Sequence, residues 1–313
     1  MLNRRQLRLK VMEVVYSYNK SIEKDIDFQL KYFLNSNKNF YRLYISVLSI
    51  FKSIYTYSNY FNSKKSDNFL KNDSDSFYFR LSKNLFLKKI CSDKSLINQI
   101  DLLQIDIFEK HPDYLSSLLH KIEKSELFSA YSKKNSFTFI EDKLLVIKLF
   151  KQIIALDNKL YDYYEDSEIS WINDLPLVNS LVLVTLKKIE KLSRKSTLIT
   201  KIYKNDKDAK FGIKLINDVI SNNDILKEEI SKFTSNWDNE RIAQIDFILL
   251  QMCLTEFLFF DSIPLKVSIN EYLELAKEYS SPKSNIFING IMDAISKKLI
   301  IDGRINKNKR GLQ

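Results

Sequence analysis

Between Asn236 and Leu299 three helical periodicities follow one another with almost no sequence left for connections. Ile242, Ile245, Leu249 and Cys253 recur at steps of three and four, which places them on one helical face. That helix is expected to be buried and to end before Ile263-Pro264, where proline removes an amide donor and drives the residue before it out of helical geometry. From about Lys266 to Tyr279, Ile269, Leu273 and Ala276 form a stripe while Glu271, Glu274, Lys277 and Glu278 point elsewhere, the pattern of a half-buried helix. Ser281-Pro282 opens the third, a serine to accept from orphan amides and a proline where a missing N–H costs nothing. Its core stripe is Ile288, Ile291, Ile295 and Leu299. A trio of this size cannot bury all its apolar faces internally, so it requires a partner elsewhere in the chain.

The rest of the sequence is also read as helical. Only four glycines occur, Gly212, Gly290, Gly303 and Gly311, too dispersed to form the glycine-rich loop that cradles a nucleotide phosphate. Cys91 and Cys253 are too few for a disulfide framework or a thiolate metal site, and are expected in the core of a protein kept in a reducing compartment. His111 and His120 are nine residues apart without a cysteine partner, so zinc is not expected. The carboxylates Asp162, Glu165, Asp166 and Glu168, with Asp174 nearby, read as a solvated face rather than a metal or catalytic site. No cofactor is implied. The most apolar window, Phe247 to Phe260, is too short to span a bilayer, and no signal peptide is visible, so the expected location is cytoplasmic.

Charge points towards a partner. Lys and Arg number 49 against 39 Asp and Glu, a net +10 that favours polyanions, nucleic acid first, although solubility or an AT-rich genome would produce the same excess. The sharpest concentration is in the first helix, expected from about Asn3 to Asn19. There Leu7, Val11, Val14 and Tyr18 form one stripe and Leu9, Met12 and Tyr16 a second, so partners cover it from two directions. Arg4, Arg5 and Arg8 crowd a helix start, where the positive end of the dipole disfavours cations. Either they bind phosphate, for which the guanidinium fork is suited, or they belong to a frayed, solvated terminus.

Four words of the C-terminal third resemble the NusB family of transcription antitermination factors. They are Trp237-Asp238-Asn239-Glu240-Arg241-Ile242-Ala243, Ile263-Pro264-Leu265-Lys266-Val267-Ser268-Ile269-Asn270-Glu271, Glu274-Leu275-Ala276-Lys277 and Phe287-Ile288-Asn289-Gly290-Ile291-Met292-Asp293. The opening Asn3-Arg4-Arg5-Gln6-Leu7-Arg8, Val11-Met12-Glu13 and Tyr16-Ser17-Tyr18 look like the family's arginine-rich first helix, with Gln6 where many members carry a further basic residue. Tyr161 through Glu168, Ser170 to Asp174 and Pro176-Leu177-Val178 resemble the linking motif of a longer branch, in which an extra helical region follows the first helix.

The resemblance implies an all-α, NusB-like helical bundle. Residues 1–20 would form the arginine-rich helix, 21–206 an inserted helical region, 207–301 the C-terminal helices and 302–313 a basic tail, expected to be disordered. It implies a non-enzymatic factor that binds a single-stranded boxA-type element of nascent ribosomal RNA together with NusE, a small-subunit ribosomal protein, within an RNA polymerase antitermination complex. The RNA-binding residues it implies are Arg4, Arg5, Arg8, Tyr16, Lys283, Phe287 and Asn289. Two rivals are a helical protein–protein adaptor without RNA binding, and an RNA methyltransferase, against which the missing glycine-rich loop and paired catalytic cysteines speak. The inserted region receives no ligand from the sequence.

Overall fold

The computed structural model describes residues 2–67, 77–134, 136–191, 198–203, 205–234 and 243–312, with side chains omitted at 65–67. Among them are sixteen α-helices, one 3₁₀ turn at Ile154–Leu156 and no strand. No helix is long and apolar enough to cross a membrane. In chain order the helices are α1 (Arg4–Lys20), α2 (Ile26–Asp67), α3 (Phe77–Lys83), α4 (Leu85–Cys91), α5 (Lys94–Leu102), α6 (Ile107–Lys110), α7 (Pro112–Glu123) and α8 (Glu126–Ser132). They continue as α9 (Phe139–Gln152), α10 (Asn158–Ser167), α11 (Trp171–Lys188), α12 (Asp206–Ser221), α13 (Asn223–Ser231), α14 (Gln244–Phe259), α15 (Leu265–Tyr279) and α16 (Ser284–Ile301). The expected start of the C-terminal trio, Trp237 to Ile242, lies outside the described residues.

Two compact units result, Met1–Ser36 with Ile202–Gln313, and Asn37–Lys201. The division falls inside α2, a single helix of 42 residues. No glycine or proline interrupts Asn35 to Asn39, so the polar run there does not break the backbone hydrogen bonding. The early part of α2 packs with the first unit through Phe33, whose ring occupies the space a side chain at Gly212 of α12 would need. A Cβ at Gly212 would sit 2.2 Å from the Phe33 ring, whereas one at Gly290 meets nothing within 4 Å. Gly212→Ala is therefore expected to destabilise by about 1–3 kcal/mol through overpacking. Gly290→Ala should stabilise by roughly 0.5–1 kcal/mol, as for any exposed helix glycine. Urea denaturation of the two variants checks the opposite signs.

The first unit is built around α14, which is buried on all sides through its middle and is packed by α1, α12, α13, α15 and α16. α1 is held at its start by Leu2, whose amide donates to the Ile202 carbonyl at 2.8 Å. Both faces of α1 are covered, burying Leu7, Val11, Met12, Val14 and Val15. On α15 the buried positions are Ser268, Tyr272, Leu275 and Ala276, with Ile269 and Leu273 only half buried, so the buried face is rotated from the apolar stripe. On α16 Met292 takes the core position expected for Ile291, and Ser281 is not the cap. Instead Ser280 and Ser284 both donate to the buried carboxylate of Asp246.

The terminal segment is not a loose tail. Arg304 binds Glu229 at 2.9 Å, and Lys307 donates to the carbonyls of Glu256 and Phe260 at 2.8 and 2.7 Å, closing the C-terminal end of α14. Burial alone would push Glu229 up, but Arg304 and Lys232 outweigh it and hold the carboxyl below its ordinary range.

The second unit buries the linking motif. Tyr164 is enclosed, its hydroxyl 3.2 Å from Ser46 and its ring edge-on to Trp171, whose indole N–H donates to the Asn39 carbonyl at 3.0 Å. Asp162, Glu165 and Asp166 are exposed as expected, while Asp174 is buried.

Candidate nucleic-acid interface

Asn3 and Gln6 form a reciprocal capping box, Asn3 accepting from the Gln6 amide and Gln6 accepting from the Asn3 amide. This satisfies the helix start without a carboxylate in the first turn of α1. It also gives a structural reason for glutamine at this position.

The three arginines are stabilised from other helices. The Arg4 Nε lies 3.2 Å from Asp208 of α12, and its guanidinium lies 5.1 Å from the centroid of the Phe211 ring. Arg5 forks onto Glu271 of α15, with distances of 2.9 and 3.1 Å and 45% of its side chain exposed. The hydrogen bond to Glu271 raises the Arg5 pKa above its ordinary value. Arg8 differs in kind. Its side chain is 2% exposed and forks onto the fully buried carboxylate of Glu256 at 2.7 and 2.9 Å, with Glu271 at 3.4 Å. Burial would lower the guanidinium's pKa, but the field and hydrogen bonds of Glu256 outweigh it and hold the charge in place.

Glu256 is the centre of this network. Besides Arg8 it accepts from Ser268 at 2.6 Å and from Tyr272 at 2.8 Å. Four hydrogen bonds on two oxygens are what a buried carboxylate needs to offset desolvation. The same need explains the rotated face of α15, because Ser268 and Tyr272 turn inward to reach it. Arg8 thus fastens α1 to α14, and its planar donor fork is not presented to solvent.

A groove of about 620 Å³ runs along this surface, lined by Asn3, Arg4, Arg5, Gln6, Pro264, Glu271 and Arg310 among others. Arg310 was part of the expected tail and not of the expected site. It is exposed, and no carboxylate is paired with its guanidinium among the described residues. Its recruitment depends on the tail folding back, with the Asn308 amide donating to the Asp261 carbonyl at 3.1 Å.

The remaining expected residues lie apart from the groove. Tyr16 sits three turns along α1, 40% exposed, with the Lys20 ammonium 5.8 Å from its ring centre. Lys283, at the start of α16, and Asn289 are exposed and Phe287 is half buried, but no α16 residue lines the groove. Among the described residues no cluster of His, Cys, Asp and Glu could hold a metal ion.

Comparison with known proteins bears on these helices. Residues 176–297 match the NusB family model. The transcription antitermination protein NusB of Salinibacter ruber is 51% identical over 85 residues, 27% of this chain and 53% of that protein. That of Chloroherpeton thalassium is 38% identical over 129 residues, 41% and 61% of the two chains. That of Clostridium kluyveri is 42% identical over 100 residues, 32% and 62%. The chain thus spans between 53% and 62% of the length of these relatives. No solved structure matches it.

Proposed function

We propose, from the match of residues 176–297 to the NusB family model, that the chain is a non-enzymatic transcription antitermination factor that binds RNA through the groove beside α1. Its target in this reading is a single-stranded boxA-type element of nascent ribosomal RNA, bound together with NusE at RNA polymerase. The observation that carries the reading is the meeting of Arg4 and Arg5 with Arg310 in one open groove, whose other wall, Pro264 to Glu271, lies in the family-matched stretch. An exposed ion pair such as Arg5–Glu271 is worth at most about 1 kcal/mol, so a phosphate can displace the carboxylate from the guanidinium fork. Arg8 acts here by positioning α1. Tyr16 and Phe287 offer rings to unstacked bases, and Lys283 and Asn289 offer donors on α16.

A filter-binding titration tests this on ribosomal leader RNA with the boxA-type element intact or scrambled. Preference for the intact element supports the reading, and equal or absent binding removes it. Glu271→Gln frees Arg5 from its competitor and is expected to tighten RNA binding by about 3- to 10-fold, the equivalent of roughly 1 kcal/mol.

One observation favours the adaptor reading: Arg4, Arg5 and Arg8 each already hold a carboxylate. An adaptor would bind no leader RNA, and Glu271→Gln would not alter that.

A further inference from the structure

The positive charge of this protein lies mostly outside the groove. The unit Asn37–Lys201 contains 26 lysines and arginines against 19 carboxylates, whereas the other unit contains 23 against 20. Within Asn37–Lys201 three packed helices, α4, α9 and α11, carry seven lysines against three carboxylates. α4 carries Lys88 and Lys89 with no acidic residue, α9 carries Lys143, Lys148 and Lys151, and α11 ends in Lys187 and Lys188. α9 packs against both of the others. The carboxylates on these helices are already engaged or buried. Asp142 accepts from the Leu85 amide at 2.7 Å and from Tyr131 at 2.6 Å, Glu141 pairs with Lys134, and Asp174 is buried.

Five ammonium groups gather at one end of α11. Lys143 donates to the carbonyls of Lys187 and Ile189 at 2.6 and 2.7 Å, and Lys89 donates to those of Glu190 and Lys191. These two close the helix end and answer its negative dipole. Lys187, Lys188 and Lys191 remain exposed at the same end, paired with no carboxylate among the described residues. Glu190 is the one acidic residue in that stretch of chain. Crowded like charges repel one another, and a polyanion relieves that repulsion by exchanging its own counterions for the lysines. Protein interfaces are depleted in lysine, whereas nucleic-acid backbones recruit it.

We infer that the end of α11 is a second RNA-contacting surface, which grips the phosphate backbone of single-stranded RNA without reading its sequence. This rests on the RNA-binding reading of the chain but on different residues from those of the groove. The test uses the full chain, a 30-nucleotide oligouridine and a salt titration. Three phosphate contacts at about −0.7 each give the expected result: Lys187→Gln/Lys188→Gln/Lys191→Gln reduces the magnitude of the salt slope by about 2 and weakens binding at low salt, with unchanged thermal unfolding.

A slope and affinity equal to those of the unsubstituted protein overturn the lysine surface. So does displacement of the RNA by polyglutamate at lower charge concentration than by competing RNA, which would reassign the patch to an acidic protein. The Arg5→Gln/Arg310→Gln protein separates the two readings. If it binds as the unsubstituted chain does while the lysine variant is weakened, the groove falls and the lysine surface stands. If it alone loses all binding, the lysine surface falls.

Discussion

Replacing Glu256 by alanine is expected to destabilise the protein by about 3–5 kcal/mol, the cost of leaving a buried guanidinium without its counter-charge. Arg8 cannot reach water to compensate, since its side chain is 2% exposed and is enclosed by Phe211 and Tyr272 as well as by the carboxylate. The hydroxyls of Ser268 and Tyr272 lose their acceptor in the same step, adding buried unsatisfied donors. Arg8→Ala should cost a similar amount, because it leaves Glu256 as the unpaired charge. The double replacement Arg8→Ala/Glu256→Ala should cost clearly less than the two single losses combined, the signature of coupled partners. Urea denaturation of the four proteins decides the matter. A loss below about 1 kcal/mol for Glu256→Ala would mean that the network is not what fastens α1 to α14.

The second large effect is on binding rather than folding. Arg5→Gln/Arg310→Gln removes two groove cations whose side chains are exposed, so its unfolding transition should move little. RNA affinity should fall on the order of 10- to 100-fold, as expected for losing two charge-assisted contacts to phosphate. Arg8 must be left intact in such a test. An alanine replacement of Arg4, Arg5 and Arg8 together would lose α1 packing as well as charge, and so would not separate unfolding from lost recognition.

Much of this arrangement was legible in the sequence. The scarcity of glycine and proline and the 3.6-residue periodicities gave helices, whereas three arginines at a positive helix end were read as phosphate ligands or a frayed terminus and are instead each paired with a carboxylate. What periodicity missed has a common cause. A helical wheel assigns buried faces by hydrophobicity alone, yet α15 buries Ser268 and Tyr272 because Glu256 needs donors there. Glu256 itself stood in the most apolar window of the chain. A lone acid in such a window is a signal for a buried pair that spacing rules do not weigh.

The reciprocal cap of Asn3 and Gln6 was not read from the sequence, although their spacing of three is that of a capping box. Arg310 was not readable as a groove residue, because its position follows from Lys307 and Arg304 docking on distant helices. The family model matches residues 176–297, which do not include α1, where the arginines lie.

The salt dependence of RNA binding, measured side by side for the unsubstituted chain and for Arg5→Gln/Arg310→Gln, bears most directly on whether this groove holds a transcript. Two lost phosphate contacts should reduce the magnitude of the logarithmic slope by about 1.4. Parallel slopes with equal affinities, or binding by the unsubstituted chain that salt does not weaken, would contradict it.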